Sequence, residues 1–143
     1  SSDLFEKYAV SCGGGTNHRF GLYDAVMIKD NHIKSAGSIF RAVEKVREAL
    51  GHQNIIEVET QNLDEVREAL DNRVGIIMLD NMPIDMIRES VKLIDGRAKV
   101  EISGCVTLER LDEISRTGAD FVSVGALTHS APSVDISMNI ITP

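Results

Sequence analysis

Five short apolar runs recur along the chain, and each ends in a polar or glycine residue. Successive ends are separated by about 21 to 30 residues, and the segments between them carry apolar residues at helical spacing. Short strands that alternate with helices at this spacing predict repeated βα units and therefore a parallel sheet. The runs are AVMIKD, NIIEVET, VGIIMLDN, AKVEISG and DFVSVGA, with predicted strand ends at Lys29, Glu59, Asp80, Ser103 and Gly125.

Two of the intervening segments carry clear helix signals. SIFRAVEKVREAL places apolar residues such as Val43 and Val46 on one stripe, and Gly51 is a predicted helix stop. NLDEVREAL has the same periodicity, with Asn62 as the predicted N-cap and Glu65 three residues later. These signals predict two amphipathic helices that each pack one face on the sheet.

The two faces of the predicted sheet differ in polarity. Residues two apart in a strand share a face, and one face is uniformly branched and apolar. The other face carries four acids and a lysine, whereas a doubly wound sheet favours apolar residues on both faces. We therefore predict an α/β fold in which parallel βα repeats form part of a (β/α) TIM-type barrel of about five strands, with a flavodoxin-like open doubly wound sheet as the alternative. The polar-face residues are Met27, Lys29, Glu57, Glu59, Met78, Asp80, Glu101, Ser103, Ser123 and Gly125.

The chain is short for a barrel. A complete barrel takes about 250 residues and eight strands, whereas this chain has 143 residues, which we expect to form a single α/β domain. A sixth strand is an option in VDISMNI, residues 134–140. A partial barrel leaves strand edges uncovered, so we expect either a homo-oligomer or a rearranged sheet.

Composition and charge narrow the classes of partner. The 22 acidic and 15 basic residues give a net charge of −7 without a basic stripe, so no nucleic-acid partner is expected. No apolar run approaches the roughly 20 residues needed to cross a bilayer, so we expect a cytoplasmic protein without membrane contact. Cys12 and Cys105 lie far apart in sequence and are expected to be reduced thiols.

Polar side chains are predicted to gather at one rim of the sheet, because ligands of parallel βα folds bind at the carboxyl ends of the strands. Glu59 and Asp80 follow neighbouring strands, a pair suited to a divalent cation or to ribose hydroxyls. Small residues after the last two strands expose backbone N–H groups before a helix, which suits a phosphate. His18, Arg19 and Lys29 are cationic donors suited to a carboxylated group. The expected ligand thus combines phosphate, ribose and carboxylate.

The string EKYAVSCGGGTNHRFGLYDAVMIKDNHI resembles the signature of quinolinate phosphoribosyltransferase, also called nicotinate-nucleotide pyrophosphorylase. IEVET, IIMLDN, EISG and GADFVSVGALTHS follow in the order and spacing of that family. The resemblance implies an N-terminal domain followed by an incomplete α/β barrel, in dimers whose partner completes each site. It also implies condensation of quinolinate with phosphoribosyl pyrophosphate, using Mg²⁺, to nicotinate mononucleotide, pyrophosphate and CO₂ in NAD synthesis.

The resemblance further implies a role for each candidate residue. His18, Arg19 and Lys29 would hold the carboxylates of quinolinate. Glu59 and Asp80 would meet the ribose and Mg²⁺, so that Lys29, Glu59 and Asp80 are the expected catalytic residues. The 5′-phosphate would be bound by Ser103, Gly104, Gly125, Ala126 and His129.

Two departures from the family pattern lead to alternatives. Members commonly carry a basic TRKT strand and an N-terminal domain before the signature, whereas this chain starts at SSDLFEKYAV, so we expect it to be inactive alone. Cys105 stands where many members have Gly or Asn after SG. The alternatives are a non-catalytic barrel unit with residual phosphate binding, and another phosphate-binding barrel such as the related protein encoded with molybdate transporters.

Overall fold

The chain forms two compact units, one from residues 18–124 and a smaller one from residues 1–17 and 125–143. The larger unit contains the sheet and all of the predicted site residues except Gly125, Ala126 and His129. The computed structural model describes residues 2–19, 21, 23–51, 54–130 and 132–141.

The larger unit is built on a five-stranded parallel sheet whose strands lie side by side in chain order. Each strand lies within one of the five apolar runs. The last strand, however, ends three residues before its predicted end at Gly125. The strands are β1 (Val26–Ile28), β2 (Ile56–Thr60), β3 (Ile76–Asp80), β4 (Lys99–Ser103) and β5 (Phe121–Val122).

The two helices with clear sequence signals are confirmed together with their caps. The side chain of Ser38 accepts a hydrogen bond from the Arg41 N–H at the start of α3, and Gly51 ends α3 with φ 78°. Asn62 accepts from the Glu65 N–H at the start of α4. The helices are α1 (Ser2–Cys12), α2 (Asp30–Ala36), α3 (Ile39–Leu50), α4 (Leu63–Asp71), α5 (Ile84–Ile94), α6 (Leu108–Ser115) and α7 (Ala126–His129).

The strand order decides between the two predicted architectures. A flavodoxin-like sheet needs a reversal in strand order, whereas the observed order β1-β2-β3-β4-β5 has none. The flavodoxin-like alternative is therefore wrong. Right-handed crossovers that always step to the next strand in the same direction place their helices on one face. The crossover helices therefore pack on the apolar face and not against the acids of the polar face, and the sheet is the predicted α/β barrel portion.

The apolar face and the helices share one core. Val58, Ile77 and Val100 point into it from neighbouring strands, and each is at most 3% exposed. Val43 and Ile87 join them from α3 and α5. The hydrophobic effect of burying these branched side chains drives the packing, at roughly 1.5–3 kcal/mol for each side chain.

The strand register places several of the predicted polar-face residues side by side. Met78 pairs with Glu59 on one side and Glu101 on the other. Glu57 and Glu101 are only 3% and 4% exposed. Buried carboxylates are costly unless they are paired, so this face requires a source of positive charge.

The smaller unit contains the glycine run at residues 13–15. α1 ends just before it, and the N–H groups of Gly13 and Gly15 donate to the carbonyls of Ala9 and Val10. Gly14 has φ 84°, which favours glycine. The run therefore serves as the stop of α1.

The optional sixth strand does not form. Residues 134–140 form no strand, and Val134, Ile136 and Met138 are at least 80% exposed. A strand needs a partner for its ladder of hydrogen bonds, and no backbone bond to this segment occurs among the described residues.

Two findings concern thiols and membranes. Cys12 and Cys105 are both free, as predicted, and both are exposed. None of the described helices has the length and apolar character required to cross a bilayer.

The N-cap of α4 allows a test of this architecture. Asn62→Ala should lower the free energy of unfolding by about 1 kcal/mol, because the Glu65 N–H loses its acceptor. Asn62→Ser keeps a capping oxygen and should be nearly neutral. Denaturant titration of the three proteins measures this, and equal losses in both variants would contradict the capping role.

Candidate active site

Glu59 and Asp80 lie at the carboxyl ends of neighbouring strands. Glu59 is half-buried. Burial, the larger effect, and the negative charge of Asp80 both raise the pKa of the Glu59 carboxyl group, whereas the positive charge of Lys29 lowers that pKa. The three predicted catalytic residues are therefore electrostatic neighbours in the structure. Two carboxylates that repel each other in this way are suited to share a divalent cation.

The turn after β3 is locked to the turn after β4. The side-chain amide of Asn81 donates to Asp80 Oδ2 at 2.8 Å, and its backbone N–H donates to the Ser103 carbonyl at 3.0 Å. Gly104 has φ 84°, and a Cβ there would lie 2.9 Å from the Asn81 nitrogen. Only glycine fits this close approach to Asn81. Ser103 and Gly104, which are predicted to bind phosphate, therefore hold Asn81 in the position from which it orients the Asp80 carboxylate.

Cys105 has the backbone conformation that its position requires. Its φ of 49° is left-handed, a region that Gly and Asn enter at lower cost than other residues. The side chain is exposed, and Arg110 donates to the Cys105 carbonyl at 2.8 Å. The turn after β4 thus holds its cysteine in a left-handed conformation with the side chain exposed.

Three of the predicted phosphate residues belong to the smaller unit. Gly125 directly precedes α7, and its carbonyl accepts from the N–H groups of Thr128 and His129. His129 Nδ1 lies 2.7 Å from Ser130 Oγ. Phosphate binding by Gly125, Ala126 and His129 stays a prediction.

His18 lies on the polar face between the two buried acids. Its Nε2 is 3.2 Å from Glu57 Oε2 and 3.2 Å from Glu101 Oε1. Ser123 donates a short hydrogen bond to Glu101. Arg19, the next residue in the sequence, is predicted to bind quinolinate together with His18, and it is half-buried.

The two carboxylates strongly favour the protonated form of His18. Hydrogen bonds with Glu101 and then Glu57 raise the pKa of His18 to about 10. Burial alone would raise the pKa of Glu101, but the hydrogen bonds from His18 and Ser123 outweigh it and lower that pKa. The alternation along the strands places Glu57, Glu101 and Ser123 on this face, but it contains no signal that His18 joins them.

Comparisons with known proteins show which family the chain belongs to. Residues 2–139 match the model of the quinolinate phosphoribosyl transferase C-terminal domain. The chain belongs to the quinolinate phosphoribosyltransferase family. It is 50% identical over 137 residues to a probable nicotinate-nucleotide pyrophosphorylase of Bacillus subtilis, a match that covers 96% of this chain and 47% of the relative.

Two further relatives extend the quinolinate phosphoribosyltransferase comparison. The chloroplastic nicotinate-nucleotide pyrophosphorylase of Arabidopsis thaliana is 47% identical over 157 residues, which cover 97% of this chain and 45% of that protein. The crystal structure of the enzyme from Ehrlichia chaffeensis superposes with a TM-score of 0.84 at 43% identity, over 87% of this chain and 45% of that one. The chain thus spans about half the length of these relatives.

Gly104 provides a test of the locked turns in this member of the quinolinate phosphoribosyltransferase family. Gly96 also has positive φ, 70°, but a Cβ there would meet nothing within 4 Å. Gly96→Ala should cost about 1 kcal/mol from backbone strain alone. Gly104→Ala should cost about 2 kcal/mol or more, because its Cβ also displaces Asn81. Denaturant titration compares the two, and an equal loss would contradict the lock.

His18 predicts a pH dependence of stability. Its pKa rises from 6.5 to about 10 on folding, so the proton favours the folded state. The contribution of His18 to the free energy of unfolding is complete below pH 6.5 and is lost as the pH rises to about 10. The stability difference between the wild type and His18→Gln should shrink over this window. A difference that does not change with pH would contradict the ion pairs.

Proposed function

We propose that the chain supplies the phosphoribosyl-binding part of a site that converts quinolinate and phosphoribosyl pyrophosphate to nicotinate mononucleotide, pyrophosphate and CO₂. The observation that carries the proposal is the pair of Glu59 and Asp80 at neighbouring strand ends, with Lys29 close enough to affect the Glu59 pKa. Membership of the quinolinate phosphoribosyltransferase family supports the choice of reaction.

The donor set of Glu59 and Asp80 fits Mg²⁺. Both offer carboxylate oxygens, which this ion prefers together with those of a phosphate. The charge of Asp80 raises the Glu59 pKa, and a cation would relieve that repulsion. When bound, Mg²⁺ would offset the negative charge on the departing pyrophosphate.

The remaining residues would hold the two ends of the reactants. Backbone donors at Ser103 and Gly104, on the turn locked by Asn81, suit the 5′-phosphate. His18, Arg19 and Lys29 would hold the carboxylates of quinolinate through charge-assisted hydrogen bonds. His18 suits this role because Glu57 and Glu101 maintain its positive charge.

The reaction requires no protein nucleophile. The ring nitrogen of quinolinate bonds to C1 of the ribose while the bond from C1 to pyrophosphate breaks. Positive charge develops on the ribose, and the carboxylates of Glu59 and Asp80 would stabilise it. The bond to the 2-carboxylate then breaks, CO₂ leaves, and the ring carbon takes a proton.

A second candidate function is ligand binding without turnover. The chain matches about 47% of the length of its Bacillus subtilis relative, so the complete reaction can require residues from the other half. Under this candidate, phosphoribosyl pyrophosphate and Mg²⁺ bind to the chain, and nicotinate mononucleotide forms only when the remaining half is supplied. A homo-oligomer and a cytoplasmic location stay predictions.

Calorimetry with phosphoribosyl pyrophosphate and Mg²⁺ tests the proposed site. The purified chain should bind this ligand, and Glu59→Gln or Asp80→Asn should weaken binding by about tenfold or more through loss of a charged ligand. Asp64→Asn is the matched control, because Asp64 is on α4 with 93% of its side chain exposed. It should bind as the wild type does.

A parallel assay for nicotinate mononucleotide separates the two candidates. Binding without turnover by the chain alone supports the second candidate, whereas turnover that Glu59→Gln abolishes shows that this chain suffices. Equal binding by the wild type, Glu59→Gln and Asp80→Asn would contradict the proposed site.

A further inference from the structure

The cluster formed by His18, Glu57, Glu101 and Ser123 contains two almost fully buried carboxylates. The side chains of Glu57 and Glu101 are 4% and 5% exposed, whereas that of His18 is 31% exposed. Glu57 lies on β2 and Glu101 on β4, so His18 reaches across β3 to meet both. The ring is therefore anchored on its buried side by two separate strands.

The geometry at Nε2 restricts the protonation state of the ring. A neutral ring with its proton on Nδ1 would direct the Nε2 lone pair at two carboxylates. A neutral ring with its proton on Nε2 would leave two negative charges buried with no cation, at a high desolvation cost. Only the imidazolium offers both a donor and a positive charge, in line with the raised pKa of His18.

An imidazolium bound through Nε2 has a second donor to offer. Nδ1 of His18 has no hydrogen-bond partner among the described residues. An ordinary histidine is mostly neutral at pH 7 to 8 and is then a weak ligand for a carboxylate. A ring that stays protonated in this range binds an anion with charge and with a directed N–H.

A metal ion is the competing occupant of this cluster. The three ligand atoms lie within 4.8 Å of one another, which a metal could bridge. Metal binding would require Nε2 to lose its proton. Among the described residues, however, every buried side-chain nitrogen and oxygen already has a hydrogen-bond partner without an ion. The observations therefore favour the ion pairs.

We propose that Glu57 and Glu101 are positioning residues that hold His18 as an imidazolium through Nε2, leaving its Nδ1–H as a fixed donor for a carboxylate of the substrate. Ser123 assists by donating to Glu101, which orients that carboxylate. The identity of the carboxylate as one from quinolinate rests on the proposed function. The charged state of the ring does not.

The test is a ¹⁵N NMR titration of the histidine rings in the purified chain, with the His18 signals assigned through His18→Gln. In the wild type, both ring nitrogens of His18 should stay protonated to above pH 8. In Glu57→Gln and Glu101→Gln, the titration midpoint should fall by about 1 pH unit or more. Glu89→Gln is the matched control on the exposed side of α5, and it should leave the midpoint unchanged.

Quinolinate binding at pH 8 gives the second measurement. Each of the two glutamine variants should weaken quinolinate binding about tenfold and leave phosphoribosyl pyrophosphate binding unchanged. Absence of quinolinate binding by the wild type would contradict the proposed function, while the NMR titration still decides the state of the ring.

Two results would overturn the positioning proposal. One is a His18 midpoint near its ordinary value of 6.5 in the wild type. The other is loss of the Nε2 proton on addition of Zn²⁺ or Mn²⁺ at micromolar concentration, which would identify the cluster as a metal site.

Discussion

The structure depends on the separation of the two faces of one parallel sheet. Because every crossover steps to the next strand in the same direction, the crossover helices lie on the apolar face. Branched residues such as Val58 and Ile77 form the core there, while their sequence neighbours Glu57 and Met78 face the other way. The charges of the polar face must therefore be balanced by groups outside these crossover helices.

The acids of the polar face differ in their partners: one pair lies within the sheet and the other pair lies at the ends of the strands. Within the sheet, Glu57 and Glu101 share the single positive charge of His18, so the protein itself offsets part of their negative charge. At the rim, Glu59 and Asp80 have no cationic hydrogen-bond partner among the described residues, and Asp80 is oriented by the neutral amide of Asn81. We therefore expect the rim acids, rather than the buried acids, to meet a ligand.

The sequence predicts the sheet better than it predicts the site. Alternation at residues such as Val58 and Glu59 defines both faces, and the signals at Asn62 and Gly51 define helix ends, because each depends on local physical chemistry. VDISMNI shows the same alternation yet forms no strand, since strand formation also needs a partner. His18 meets Glu57 across 39 residues of sequence, and such a contact has no local signal.

The most direct test of this account is to map the ligand on the folded chain. Backbone amide shifts in NMR spectra, recorded with and without phosphoribosyl pyrophosphate and Mg²⁺, identify the residues that respond. We expect the largest changes at the carboxyl ends of the strands, around Glu59, Asp80 and Gly104. Changes centred instead on the hollow at the opposite end of the sheet, lined by residues that include Gly75, Lys99 and Asp120, would contradict it.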